Sequence, residues 1–174
     1  MIEESRAFLP LAIAILTVSD SRTEENDTSG RTLADRIGNA GHRVVDRRIV
    51  PDNIYRIRAV VSDWIADPEV QVVITTGGTG VTGRDGTPEA VSVLFDKTLE
   101  GFGEIFRALS LQEIGTSTIQ SRAIAGVANG TYLFCLPGST GACRTGWDQL
   151  ISAQLDARTR PCNLAELLPR LKEA

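Results

Sequence analysis

Residues 74–89 read ITTGGTGVTGRDGTPE. An apolar run, VQVVITT at residues 70–76, leads into them. Glycines follow at 77, 78, 80, 83 and 86, interleaved with hydroxyls at Thr75, Thr76, Thr79, Thr82 and Thr87, and the stretch closes on Asp85, Pro88 and Glu89. A β-branched run that passes straight into bare backbone and then into Thr-Pro-Glu predicts a buried strand, a wide loop and a helix, with Thr87 as N-cap and Pro88 at the first helical position.

The same strand-then-helix order repeats on both sides. LAIAILTVS (residues 11–19) is continuously apolar, as a strand buried on both faces is. RTLADRIGNAG (31–41) predicts a short helix stopping at Gly41, and HRVVDRRIV (42–50) a second strand ending before Pro51. DNIYRIRAVVSDWIAD (52–67) carries Ile54, Ile57, Val60, Val61, Trp64 and Ile65 as a helical stripe. Beyond the glycine loop, TPEAVSVLF (87–95) and FGEIFRALSLQEI (102–114) read as helices. SRAIAGVANGTYLFCLPGS (121–139) reads as two strands turning at Asn129-Gly130, TGACRTGWDQLISAQL (140–155) as a long closing helix, and NLAELLPRLKEA (163–174) as a short amphipathic tail. Strands alternating with helices predict a three-layer α/β domain over 1–174, mostly parallel, with an antiparallel hairpin. In such sheets ligands sit outside the carboxyl ends of the strands. Asp20 onward, Pro51-Asp52, the glycine loop and Pro137-Gly138-Ser139 all leave such ends, so the chemistry converges on one edge.

Gly78 to Gly83 formally match GxGxxG, but a dinucleotide fold needs the helix to begin within the motif, and here Arg84-Asp85-Gly86 intervene on what is the third strand. A phosphate-binding P-loop needs Lys after the last glycine; the next lysine is Lys97. The remaining reading is a cradle of backbone N–H groups and threonine hydroxyls around an anionic ligand. Asp85 at its end would repel a phosphate unless a cation such as Mg²⁺ lay between them. The bland alternative, Asp85 as a cap of a tight crossover, is the weaker one for so many glycines and hydroxyls together. Asp52 divides evenly between capping the helix from Asn53 and joining Asp85 as a metal ligand. The Ser19-Asp20-Ser21 and Asp27-Thr28-Ser29-Gly30 loop segments are expected to be solvated, and Arg122 is expected to pair with a surface acid rather than a phosphate.

Composition narrows the classes. With 42% hydrophobic and 23% charged residues the chain is an ordinary globular one, and a net charge of −4 argues against a general nucleic-acid binder. The acidic opening MIEESRAFLP is unlike a signal peptide, and no apolar run is long enough for a membrane span, so the expected compartment is the cytoplasm. Cys135, Cys143 and Cys162 are expected as reduced thiols in or near the core, and the single histidine, His42, as a surface or capping residue.

Taken in order, TVSDSR, DTSG, VPDN, ITTGGTGVTGRDGTPE, EGFGEIFR, EIGTSTIQSRAIAGV, LPGST and QLDARTRPCN resemble the MoaB/MogA family of molybdenum cofactor biosynthesis proteins, over about residues 12–163, and the last of them its MoaB branch. The resemblance implies a three-layer α/β fold that binds molybdopterin, a pterin dithiolene with a terminal phosphate. It implies transfer of AMP from ATP to that phosphate with Mg²⁺, release of pyrophosphate, delivery to a molybdate insertion enzyme, and a trimeric or hexameric homo-oligomer. Carried over by position, Asp52 and Asp85 match the metal-binding and catalytic acids. Thr76, Gly77, Gly78, Thr79 and Gly80 match the nucleotide cradle. Ser19 and Asp20 match the segment beside the first strand, Ser121 the neighbourhood of the pterin phosphate, and Pro137 and Gly138 the pocket wall. Thr140 departs from the proline often found in that turn, which bears on the pocket wall and not on the fold.

Overall fold

The computed structural model describes residues 1–173. Six strands form one sheet in the order β2-β1-β3-β6-β5-β4. They are β1 (Ala12–Val18), β2 (Arg43–Val50), β3 (Val72–Thr76), β4 (Lys97–Thr98), β5 (Ile124–Ala128) and β6 (Thr131–Leu136). The first, second, third and sixth run parallel; β5 and β4 are antiparallel additions at one side. The chain moves one way from β1 through α1 (Thr28–Asn39) to β2, then crosses back through α2 (Ile54–Ala66) to β3. Right-handed crossovers in opposite directions put these helices on opposite faces. One core cluster accordingly joins Leu33 and Ile37 of α1 to Ile13, Ile15 and Ile74. The other joins Ile57, Val61 and Trp64 of α2 to Ala14, Leu16 and Val73. Each buried isoleucine in these layers contributes about 2 kcal/mol of transfer free energy.

α3 (Thr87–Ser92) packs on the α2 face. α4 (Glu100–Ile114), α5 (Thr140–Gly146) and α6 (Ser152–Leu155) cover the other. The three-layer α/β architecture and the hairpin are as the sequence predicts: Asn129 and Gly130 turn with φ of 48° and 79°, as a two-residue hairpin requires.

Local differences have local causes. α1 starts at Thr28 rather than Arg31, because Asp27 caps it by accepting from Gly30 N. Gly86, not Thr87, occupies the cap of α3, and the Thr87 hydroxyl instead donates to the carbonyl of Gly77. α3 ends at Ser92, and Val93–Phe95 turn the chain into the two-residue edge strand β4, too short to leave a periodicity. The closing helix is interrupted by a π-helical turn at Trp147–Ile151. The tail forms a 3₁₀ turn at Ala165–Arg170, and its last residue, Ala174, lies outside the described residues.

Cys135 and Cys143 are buried but Cys162 is exposed, so the expectation of three core thiols fails there. His42 is also not at the surface: it is 5% exposed, its Nδ1 accepts from Leu11 N at 3.1 Å, and its ring lies between Phe8 and Trp147. The N-terminal arm folds over it. That arm is clasped to the C-terminal segment by an Ile2–Thr159 bridge and by hydrogen bonds from Glu3 N to the Arg158 carbonyl and from Arg160 N to the Met1 carbonyl.

Asp27 is fully buried and accepts from Thr17 Oγ1 at 2.8 Å, Gly30 N at 2.9 Å and Arg47 Nη2 at 2.7 Å. Burial opposes its ionisation, but the Arg47, Gly30 and Thr17 hydrogen bonds outweigh it and hold the carboxyl below its usual value. A lowered folded value gives stability that is present above the unfolded pKa, about 3.9, and lost as pH falls through the folded one. Asp27→Ala should therefore cost about 3–5 kcal/mol at neutral pH, the range for breaking a buried pair. In urea titrations the advantage of the wild type over Asp27→Asn should shrink as pH falls below about 4.

Candidate active site

The register of the central strands places their carboxyl ends level: Thr17 pairs with Thr76, Thr76 with Leu136, and Val18 with Val50. Because the chain leaves β1 in one direction and returns to β3 in the other, a crevice opens between these two ends. A cleft of about 530 Å³ with a mixed polar and apolar lining lies there. Ser19, Thr76, Asp85, Ser121, Pro137 and Gly138 line it together with loop residues 77–80. Asp20 and Asp52 do not line it but stand beside it.

Bare backbone is a steric necessity at the centre. Gly77 and Gly78 have φ of 103° and 66°. A Cβ on Gly77 would lie 2.2 Å from the carbonyl oxygen of Val18, and one on Gly78 would lie 2.3 Å from Thr87 Oγ1 and 2.6 Å from Asp52 Oδ1. Gly138 presses on the same point, its Cβ position 3.1 Å from Gly77 Cα. The strand ends are cross-tied: Gly77 N donates to the Leu136 carbonyl at 3.0 Å, Thr76 Oγ1 to the Pro137 carbonyl at 3.0 Å, and Ser29 Oγ to the Gly138 carbonyl at 3.1 Å. Ser19 closes a small turn, its Oγ accepting from Ser21 N and Arg22 N, each at 3.2 Å. The Ser19–Ser21 segment faces solvent as expected, whereas the expectation of a solvated Asp27–Gly30 segment fails, because Asp27, Ser29 and Gly30 are buried where α1 starts against the strand ends.

The two acids differ in state. Asp85 is folded back into its own loop, accepting from Thr82 N at 2.9 Å and from the Thr82 hydroxyl. That hydroxyl bond foremost, with the Thr82 and Gly80 N–H groups and the Arg122 charge, holds its carboxyl below the usual value against a partial burial. Asp85 thus caps its own loop while still lining the cleft. Asp52 is half-buried, its Oδ1 has no partner, and Asn53, not Asp52, caps α2. Burial, then the charges of Asp20 and Asp85, push the Asp52 carboxyl up, with only Arg84 acting against them. Asp20 accepts from Asp52 N at 3.1 Å and from Arg84 Nη2 at 2.8 Å.

A carboxylate oxygen buried without a partner beside two further acids fits a divalent cation. Among the described residues, however, no group of three or more acidic, histidine or cysteine side chains is arranged to hold one. A cation here would take Asp52, or Asp52 with a rearranged Asp85, and complete its shell from water and substrate phosphate, as Mg²⁺ commonly does.

Two features escaped the sequence reading. One wall of the cleft comes from α4 and the 3₁₀ turn after it: Phe106, Ser110, Ile114 and Ser117 face the cleft. The spacing of Phe106, Ser110 and Ile114 at every fourth residue places a hydroxyl inside an apolar stripe, which was the available signal. The other is Arg122. It pairs with Glu89, as expected of a surface acid, and also donates from Nε to the Gly80 carbonyl at 2.8 Å and from Nη2 to the Asp85 carbonyl at 3.1 Å.

Comparisons with known proteins agree with this architecture. Residues 14–157 match the family model of a "Probable molybdopterin binding domain". Molybdenum cofactor biosynthesis protein B of Escherichia coli K12 is 60% identical over 173 residues, covering 99% of this chain and all of that one. A crystal structure of a molybdenum cofactor biosynthesis protein B superimposes with a TM-score of 0.87 at 40% identity, covering 97% of this chain and 100% of that one. The tungsten cofactor synthesizing protein MoaB of Pyrococcus furiosus does so with a TM-score of 0.77 at 34% identity, covering 94% and 98%. The chain therefore belongs to the MoaB family and takes part in molybdenum cofactor biosynthesis.

Proposed function

We propose that the protein transfers AMP from ATP to the terminal phosphate of molybdopterin. The observation that carries this reading is the meeting, at one strand edge, of a positive-φ glycine loop and the partnerless Asp52 Oδ1. In the reaction a phosphate oxygen of molybdopterin attacks the α-phosphorus of ATP in line. The bond from that phosphorus to the bridging oxygen breaks, and its electron pair leaves with pyrophosphate. A phosphate monoester is ionised near neutral pH, so no residue has to remove a proton, in keeping with a cleft that contains no histidine. Among the described residues no backbone carbonyl accepts from the N–H groups of Gly78 and Thr79, and these bind and orient phosphate oxygens, while Ser121, whose Oγ is buried without a partner, offers a hydroxyl to one of the two phosphates. Asp52 and Asp85 are the residues that would hold Mg²⁺, which when bound offsets charge on the phosphates and the leaving group. The α4 wall, with Phe106, excludes water from one side.

Delivery of the product to a molybdate insertion enzyme, a trimeric or hexameric assembly and a cytoplasmic setting belong to the same proposal. No helix among the described residues is long and apolar enough to cross a membrane. A second reading, a carrier that binds molybdopterin without chemistry, is favoured by one observation: Asp85 is satisfied within its own loop.

A turnover assay with molybdopterin, ATP and Mg²⁺, read by mass spectrometry, separates the two. Adenylylated pterin with pyrophosphate supports transfer; tight pterin binding without product supports the carrier. Asp52→Asn and Asp85→Asn should each lower turnover about a hundredfold or more. Asp52→Asn should also melt higher than the wild type at pH 7 without metal. A carboxyl whose folded pKa is raised costs stability once ionised, so this difference should fade below about pH 4. Ser121→Ala should lower kcat/KM for molybdopterin about tenfold while leaving thermal stability within experimental scatter.

A further inference from the structure

We propose that Arg122 is a positioning residue: it holds the outer part of the glycine loop in the shape that receives ATP, without touching the nucleotide. The inference rests on the adenylyl-transfer reading above and concerns a residue outside the acids and glycines of that reading.

The loop is poorly anchored on its own. Val81 is 67% exposed, and a Cβ on Gly83 would meet nothing within 4 Å. Thr82 and Asp85 close a turn on each other, through Asp85 N donating to the Thr82 carbonyl at 3.1 Å and the Asp85 carboxylate accepting from Thr82 N at 2.9 Å. That turn is a unit, but its own bonds do not tie it to the sheet. Arg122 does so at both of its ends. Nε takes the carbonyl of Gly80 and Nη2 the carbonyl of Asp85, at 2.8 and 3.1 Å. Arg122 N adds a bond to the Thr79 carbonyl at 3.3 Å. Nη1 pairs with Glu89 in the first turn of α3, which aims the guanidinium. Among the described residues the one comparable tether, Arg84 to Asp20 and to the Asp52 carbonyl, is 65% exposed at its arginine side chain, against 32% for Arg122.

This tether has a directional consequence. In a trans peptide the carbonyl and the N–H point opposite ways. Turning the Gly80 and Asp85 carbonyls onto Arg122 turns the N–H groups of Val81 and Gly86 away from it. Among the described residues no backbone carbonyl accepts from either. The clamp thus fixes the planes of the two peptides at either end of the outer loop. Three acceptors in different directions around one planar group call for a guanidinium; an ammonium presents a single nitrogen.

The test compares wild type with Arg122→Ala, Arg122→Lys and Asp52→Asn in the molybdopterin and ATP assay, with and without methylguanidine, and follows hydrogen exchange of peptides covering residues 77–86. Arg122→Ala should raise KM for ATP about tenfold to a hundredfold, the range for one hydrogen bond to a charged group. Arg122→Lys should keep most of that loss. Methylguanidine should restore Arg122→Ala and have no effect on Asp52→Asn. Exchange should quicken at residues 80–86 and stay as in wild type along β1, β3 and β6. Unchanged exchange of the loop, or a lysine variant with wild-type KM, overturns the inference whether or not the wild type turns over. Quickened exchange in a protein whose wild type neither binds nor uses ATP upholds the clamp and removes the transfer reading instead.

Discussion

Everything at the working edge depends on one close approach. The backbone of Gly77 and Gly78 passes under the Val18 carbonyl, against Gly138, and beside the Thr87 hydroxyl and the Asp52 carboxylate. No side chain fits at either position, and the left-handed backbone there would penalise one in any case. Because β1, β3 and β6 end level, this single contact point joins the ends of all three strands. The bonds from Gly77 N, Thr76 and Ser29 fix the floor, while the stretch from Gly80 to Gly86 is held by Arg122 reaching in and by its own Arg84 reaching out to Asp20.

Two buried or half-buried aspartates near this floor have opposite electrostatic fates. Asp27 has three donors, including an arginine, and its charge is at home. Asp52 has neighbouring acids and an oxygen without a donor, and its charge is under strain. The first arrangement serves the fold, tying α1 to β1 and β2. The second leaves unfavourable charge beside the cleft, where a cation would relieve it.

Much of this was legible from residue order alone. Buried parallel strands such as residues 11–19 and 70–76 announce themselves by unbroken apolar runs, and the glycine loop by its density of glycines and threonines. The strand β4 was not legible, because two residues carry no period and its pairing depends on Asp96, whose backbone N–H reaches the Val127 carbonyl and whose carboxylate accepts from Asn129 N. His42 misled because a histidine after glycine reads as a turn residue, while its burial is decided by Phe8, more than thirty positions earlier. Asp85 read as an open ligand because the local sequence does not reveal that Thr82 would satisfy it. In each case the missing information was a contact between segments distant in sequence, or a choice between two partners equally near. The state of Asp52 was undecidable for the same reason, since Asp20 approaches it only after β1 and β2 are paired.

The clasp between Ile2 and Thr159 sits at the amino-end pole of the strands, away from the cleft. The seven residues of β1 separate the two poles by roughly 23 Å. Met1–Glu3 are thereby held on the side opposite the cleft, and Lys172 lies against Gly130 at the same pole. Such a body can be spliced into a longer polypeptide, or carry an extension at either end, with the entrance to the cleft left open. The fold is in this sense a cassette, whose attachment points and working face were separated when the first strand was laid down.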